Sequence, residues 1–237
     1  MAKTKKYALN NSYFKNCSNI MPQNPLDVVL FYRSLGELPF KYEGDNWVYD
    51  MFCEYQKRHS IRFEQFLTPD STAIRMAQLL LSGIEIEDIK TKTALEIGCG
   101  TGQITKLLFG LGSLQAFDID EDMISICENL YDRSNFHFYK YDFKEDNTYY
   151  IKQKYDCVIS NPPYSNIASL LDYVYRSLKD DGKAVLLLPI GTFQKTRPKI
   201  LVKMINQFEI IHREPMVEPF LRTGIKAEIT VLTKRLS

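Results

Sequence analysis

The chain has few of the features that mark metal sites or disulfide scaffolds. Among its 237 residues there are only three histidines, and the five cysteines (Cys17, Cys53, Cys99, Cys127 and Cys157) form no Cys-x-x-Cys pair. That spacing is wrong for a zinc site or a stapled secreted fold, so the cysteines read as reduced thiols in a cytosolic protein. Charge of one sign is also missing: 30 Lys and Arg stand against 29 Asp and Glu, a formal net charge of +1. Any polyanionic partner must therefore be held by a local basic surface and not by the field of the whole protein. No stretch approaches the roughly 20 apolar residues of a membrane span. The basic opening, Met1 to Tyr7, leads into no apolar run of signal-peptide length, so the expected compartment is the cytoplasm. There is no internal repeat and no low-complexity tract. What is present is 45% hydrophobic and 25% charged residues, values that exclude disordered and fibrous classes. The length suits one full α/β domain with an appendage but not a second large domain.

Two regions differ in pattern. Residues 1–60, rich in Tyr, Phe, Asn and Pro, lack strand-helix alternation and read as an N-terminal extension packed on the rest. Helical spacing within it predicts helices at about 26–35 and 47–55. Residues 61–237 form the second region. Thr68-Pro69-Asp70 predicts a helix start, with Thr68 as cap and Pro69 in the first turn, running to about Ser82. Apolar, β-prone runs follow at 94–97, 114–119, 136–139, 155–160, 184–189, 208–212 and 227–233. Helical patterns fill the intervals at about 103–111, 121–131, 167–178 and 198–207. This alternation predicts an α/β fold with a mostly parallel sheet covered by helices on both faces.

The first strand runs into Glu96-Ile97-Gly98-Cys99-Gly100-Thr101-Gly102. A glycine-rich turn at the carboxyl end of a strand lets backbone approach a ligand closely. The spacing is Gly-x-Gly-x-Gly and not the Gly-x-Gly-x-x-Gly of dinucleotide sites. The acid Glu96, read as part of the turn, would repel a pyrophosphate but suit a ligand bearing an ammonium and a sulfonium, which favours S-adenosyl-L-methionine over NAD. At the end of the second strand Asp118 is placed to accept both ribose hydroxyls of an adenosine cofactor, with Ile119 along the adenine plane and Asp120 as a helix cap. After the third strand, Asp142 is a candidate acceptor for the adenine amino group and Phe143 for packing on its ring. A plain turn aspartate is the alternative for Asp142.

The fourth strand ends in Ser160-Asn161-Pro162-Pro163-Tyr164. Consecutive prolines fix φ and hold the local carbonyls in one direction. An amino group on an aromatic ring is a poor nucleophile, because its lone pair is delocalised. The Asn161 side-chain carbonyl and the Pro162 backbone carbonyl can accept its two N–H groups and favour the tetrahedral nitrogen that forms as an electrophile arrives. Tyr164 would stack on the flat substrate.

These motifs resemble the amino-methyltransferases that carry Asn-Pro-Pro-Tyr, over about residues 62–236. The resemblance implies a Rossmann-like class I methyltransferase fold of seven strands, the last antiparallel and inserted between the fifth and sixth. The motif order is similar to that of the gamma group of DNA N6-adenine methyltransferases, with Phe66-Leu67-Thr68-Pro69 ahead of the glycine turn. It implies that Thr68 and Pro69 touch the methionine end of the cofactor. It also implies that Phe220, ahead of the last strand, stacks on a flipped adenine held between it and Tyr164, with packing in the core as the alternative for Phe220. Lys195, Arg197, Lys199, Arg222 and Lys226 are candidate phosphate contacts, with a solvated charged surface as the alternative. The expected reaction is direct in-line methyl transfer to adenine N6 in DNA, with no covalent enzyme intermediate and no metal. The gamma group usually continues into a separate target-recognition domain, and none is expected within these 237 residues. A separate specificity subunit is one answer; an RNA substrate, or a protein glutamine as in release-factor methyltransferases, is another. A non-catalytic scaffold is disfavoured by the joint presence of Glu96, the three glycines, Asp118 and Asn161 to Tyr164.

Overall fold

In the computed structural model the described residues are 66, 68–131, 134–145, 153–193, 198–217, 219–220 and 225–235. The extension at residues 1–60 and its two expected helices lie outside them.

Seven strands, β1 (Thr93–Ile97), β2 (Ser113–Asp118), β3 (Phe136–Lys140), β4 (Tyr155–Ser160), β5 (Leu178–Pro189), β6 (Phe208–Pro215) and β7 (Ala227–Lys234), form one sheet in the order β3-β2-β1-β4-β5-β7-β6. Pairings from β3 through β5 are parallel, and β7 runs antiparallel between β5 and β6. This is the seven-stranded Rossmann-like arrangement expected. Helices α1 (Asp70–Leu81) and α2 (Ile86–Ile89) precede β1, while α3 (Glu121–Leu130), α4 (Ile167–Ser177) and α5 (Pro198–Gln207) join β2 to β3, β4 to β5 and β5 to β6.

The period-2 alternation of side chains divides the core between the two faces of the sheet. Ala94, Ala116, Cys157, Ile159 and Val185 pack with Met76 and Leu80 of α1 and Ile124 and Cys127 of α3. Leu95, Ile97, Phe117, Val158 and Leu186 pack with Leu170, Leu171 and Val174 of α4 and Met204 of α5. Central strands covered on both faces have no polar face to show, which is why residues 184–188 are uniformly apolar and fully buried.

Three expectations about elements are corrected. The helix expected at 103–111 is only a 3₁₀ turn, Thr105–Leu107. Gly102 and Gly110 leave too few residues between them for a stable helix, and the Thr105 hydroxyl is tied to Glu96. Strand β5 starts at Leu178 and not Ala184, because the polar Lys179 and Asp180 find partners in Asp156 (2.9 Å) and Lys234 (3.2 Å). Helix α1 is capped at Pro69, with no side-chain cap bond; Ala73 N–H donates to the Pro69 carbonyl at 2.8 Å. Thr68 does not cap it, since its hydroxyl is engaged elsewhere.

Candidate active site at the carboxyl ends of the strands

The carboxyl ends of β3, β2, β1 and β4 lie side by side, and each is followed by one of the segments singled out from the sequence. After β1, Gly98, Gly100 and Gly102 have φ of 70°, 53° and 84°, left-handed values that side chains resist. A Cβ on Gly102 would also lie 2.2 Å from the Tyr131 ring. The turn folds back onto β2: Gly98 and Cys99 N–H donate to the Phe117 carbonyl at 2.8 and 3.0 Å. Asp118 completes this fastening. It accepts Gly100 N–H on one carboxylate oxygen (2.9 Å) and Asp120 N–H on the other (3.0 Å). Burial lifts the Asp118 carboxyl to about 6, against the lowering effect of those two N–H groups. Each oxygen keeps a second lone pair, so holding the turn and binding a ribose are compatible. Ile119 beside it is half-buried.

Glu96 is not part of the turn. It lies on β1, 1% exposed, facing the same side of the sheet as Ala94, and accepts the Thr105 hydroxyl at 2.6 Å. Burial raises its carboxyl to about 8, with Asp118 adding to the rise, so it is protonated at neutral pH. Its observed work is to hold the 3₁₀ turn onto the sheet. An acid sequestered this way becomes an anionic partner only if a cation comes close enough to lower its pKa again.

Asp142 follows β3 and caps a turn, accepting Lys144 N–H at 2.9 Å, while its carbonyl takes Glu145 N–H. The turn-aspartate alternative is therefore realised in part. Phe143 is 7% exposed and packs on Tyr173 (6.3 Å between centroids), in the core beneath α4.

After β4, Ser160 donates its hydroxyl to the Ile97 carbonyl at 2.8 Å and stitches the ends of β4 and β1 together. Asn161 is half-buried and Pro162 buried. The Asn161 amide nitrogen donates to the Phe66 carbonyl (2.7 Å) and the Thr68 hydroxyl (3.1 Å). Because a backbone carbonyl can only accept, this fixes which end of the amide is nitrogen and leaves the side-chain carbonyl turned away from Phe66. Pro163, extended at φ −62° and ψ 129°, leads into a 3₁₀ turn, Tyr164–Asn166, that starts α4. The Tyr164 hydroxyl is buried with no hydrogen-bond partner among the described residues, and burial holds its pKa well above the usual range.

Phe220 is 4% exposed, and its ring lies 5.9 Å from that of Phe66 and 6.5 Å from that of Tyr164, at 63° to the latter. A planar base between two parallel rings needs about 7 Å, twice an ordinary contact distance. The sandwich expected between Tyr164 and Phe220 is thus closed in this structure: the two rings touch edge to face, and Phe220 packs into the core behind Tyr164.

Of the basic residues, Lys199 lies in the first turn of α5 and Lys226 just before β7, both exposed. Lys195, Arg197 and Arg222 lie outside the described residues. Cys99 and Cys127 sit under the turn with sulfurs 3.9 Å apart. The Cys99 thiol is pushed well up by its contact with Cys127 and by burial, and that of Cys127 by burial, so neither is poised as a nucleophile. No helix among the described residues is long and apolar enough to cross a membrane.

Sequence reasoning missed Tyr131, which closes the floor of the glycine turn, and Thr105, the partner of Glu96. Neither belongs to a local pattern, and both act only once distant segments meet.

Comparison with known proteins bears on this geometry. Residues 94–182 match the family described as "Methyltransferase domain". The malonyl-acyl-carrier-protein O-methyltransferase of Acetivibrio thermocellus is 32% identical over 125 residues, 50% of this chain and 42% of its own length. Ribosomal RNA small subunit methyltransferase A of Mesomycoplasma hyopneumoniae strain J is 27% identical over 106 residues, covering 44% and 40%. The type II methyltransferase M.AccI of Acinetobacter calcoaceticus is 26% identical over 153 residues, covering 63% and 26%. The match thus spans less than half the length of each of these relatives. Among solved structures, the N-methyltransferase NodS of Bradyrhizobium japonicum WM9 in complex with S-adenosyl-L-homocysteine superposes with a TM-score of 0.55 at 15% identity, covering 71% of this chain and 89% of that one. Residues 94–182, from β1 into β5, thus resemble a methyltransferase domain, and the fold is the one that NodS shares.

Proposed function

We propose that the chain transfers a methyl group from S-adenosyl-L-methionine to the N6 amino group of adenine in DNA. The observation that carries this reading is the orientation of Asn161, whose amide nitrogen is fully used by Phe66 and Thr68. Its carbonyl is left to accept an N–H at the carboxyl end of β4, beside the rigid Pro162-Pro163 pair and the Tyr164 ring.

The cofactor fits the residues present. Glycines with positive φ keep three positions of the turn free of side chains, Gly98 having nothing nearer its Cβ position than the Asn161 backbone carbonyl at 3.7 Å. Asp118 and Ile119 at the end of β2 and Asp142 just after β3 stand where an adenosine moiety would lie, while the Phe143 ring is turned into the core. When bound, the cofactor supplies an electrophilic methyl group on a sulfonium.

The protein's own contribution is electrostatic and positional. The Asn161 side-chain carbonyl and the Pro162 backbone carbonyl accept the two N–H groups of the substrate amine, which favours tetrahedral nitrogen over the planar, conjugated form. Tyr164 offers a ring face to a base turned out of its stack. Phe220, packed edge-on against Tyr164, is here assigned to holding that ring in place. Pro69 and the Thr68 backbone stay assigned to the cofactor's methionine end, the Thr68 hydroxyl being engaged by Asn161, and Lys199 and Lys226 to phosphates.

Adenine is favoured because Phe66 and Thr68, which meet Asn161, belong to the element that resembles the nucleic-acid group of enzymes carrying this tetrapeptide. Among the relatives, M.AccI is a type II methyltransferase. The ribosomal RNA relative supports a second reading, the same chemistry on RNA. Incubation with labelled cofactor and unmethylated DNA, RNA or release factor distinguishes these. Label in N6-methyladenine of DNA is expected, and label only on protein overturns the reading.

A further inference from the structure

We infer that Thr68 is a positioning residue for Asn161, turning the asparagine amide so that its carbonyl faces the acceptor side of the site. This rests on the reading that Asn161 binds the substrate amine, but it assigns Thr68 a job apart from cofactor binding.

An asparagine amide is nearly symmetric in shape, and its two ends differ only in hydrogen bonding. Flipped by 180°, Asn161 would present N–H groups to an amine that itself carries only donors to be accepted, and the site would repel its substrate. Two contacts prevent the flip. The Phe66 carbonyl accepts at 2.7 Å and sets the polarity of the amide, and the Thr68 hydroxyl accepts its second N–H at 3.1 Å. One contact alone would leave the amide free to swing about that bond; the second fixes its plane. Thr68 is 6% exposed, and its hydroxyl is not spent on capping α1, whose cap Pro69 makes no side-chain bond. The Phe66 ring meanwhile packs on Phe220, which packs on Tyr164, so one short segment sets both the polar and the aromatic walls of the site.

The test compares Thr68→Val, which keeps the shape and removes the hydroxyl, with Thr68→Ser, which keeps the hydroxyl. The first readout needs no substrate: the Asn161 side-chain amide signals in the NMR spectrum, identified by their loss in Asn161→Gln. In the wild-type chain both amide protons should be slow to exchange with solvent. In Thr68→Val one should exchange at least about tenfold faster, as expected for one lost hydrogen bond, and Thr68→Ser should restore protection. The second readout is methyl transfer: Thr68→Val should lower kcat by about five- to tenfold with cofactor Kd unchanged, and Thr68→Ser should stay near wild type. Fast exchange in the wild type, or an unchanged kcat in an active Thr68→Val protein, overturns the inference. Equal losses in both variants would mean that Thr68 acts through packing. A raised cofactor Kd with unchanged kcat would return it to the cofactor site. If the wild-type chain methylates no nucleic acid, the adenine reading fails, while the exchange measurement still decides the orientation of Asn161.

Discussion

Asp118 and Asp156 belong to the same parallel sheet and lie at its opposite ends, and they are treated in opposite ways. Asp156, at the amino end of β4, accepts the Thr93 N–H (2.9 Å) and hydroxyl (2.8 Å) and pairs with Lys179 at 2.9 Å. Burial alone would raise its pKa, but these partners outweigh that and hold the carboxyl below its ordinary value. Asp118, at the carboxyl end of β2, is met by backbone N–H groups instead of a lysine, and burial holds its carboxyl up at about 6. Glu96, one strand away on the same side of the site, is higher still. One end of the sheet neutralises its acids with lysines and spends them on stability. At the other end, acids stay buried without a countercharge, the condition in which a polar or cationic ligand gains most by arriving.

The largest expected effect lies at the carboxyl end. Asn161→Ala should lower methyl transfer by about 10²- to 10³-fold, the cost of losing an oriented acceptor, while cofactor binding measured by calorimetry persists. Activity retained in that variant would remove Asn161 from the site. Gly102→Ala should follow. The new Cβ needs a left-handed backbone and runs into Tyr131, itself wedged against Phe109 and Phe138, so a loss of about 1–3 kcal/mol in thermal or denaturant unfolding is expected. A neutral Gly102→Ala would show the turn to be looser than its geometry. Asp118→Ala should weaken cofactor affinity by about 1–3 kcal/mol, through unpaired hydroxyls and a loosened turn. An unchanged Kd would leave Asp118 a purely structural tie.

The comparison between the two ends sharpens most in the pH dependence of stability, where the effects are smaller but opposite in sign. Glu96 rises from an ordinary 4.5 to about 8 in the folded chain. The stability it contributes is therefore complete below about pH 4.5 and is lost as pH climbs through 8. Glu96→Gln should then gain on the wild type across that window in melting temperature. Asp156 is shifted down from 3.8, so its contribution is present above that value and lost as pH falls below it. Asp156→Asn should melt lower than wild type at neutral pH, with the gap closing on acidification. If both variants moved in the same direction with pH, the contrast between the ends would be wrong.

Much of this was legible in local pattern. The strands announced themselves as short apolar runs, and the glycine turn and Asn161 to Tyr164 fell after β1 and β4 because parallel strands place their functional loops at one end. What local pattern did not contain was competition for side chains. Thr68 reads as a helix cap, but its hydroxyl is taken by a residue 93 positions away. Phe220 and Phe143 read as ligand-stacking rings, and both are buried against other aromatics, since an aromatic next to a site has the same composition whether it faces in or out. Glu96 reads as a ligand for a cation, and its burial makes it neutral. The expected helix after the glycine turn lost to its flanking glycines and to the Thr105 contact.

The most direct test uses methyl-labelled S-adenosyl-L-methionine and unmethylated DNA, with the nucleosides separated after digestion, for the wild-type chain and for Asn161→Ala. The predicted result is label in N6-methyladenine from the wild type and none above background from Asn161→Ala, with both proteins binding the cofactor. Label in another product, or equal label from the two proteins, would contradict the account.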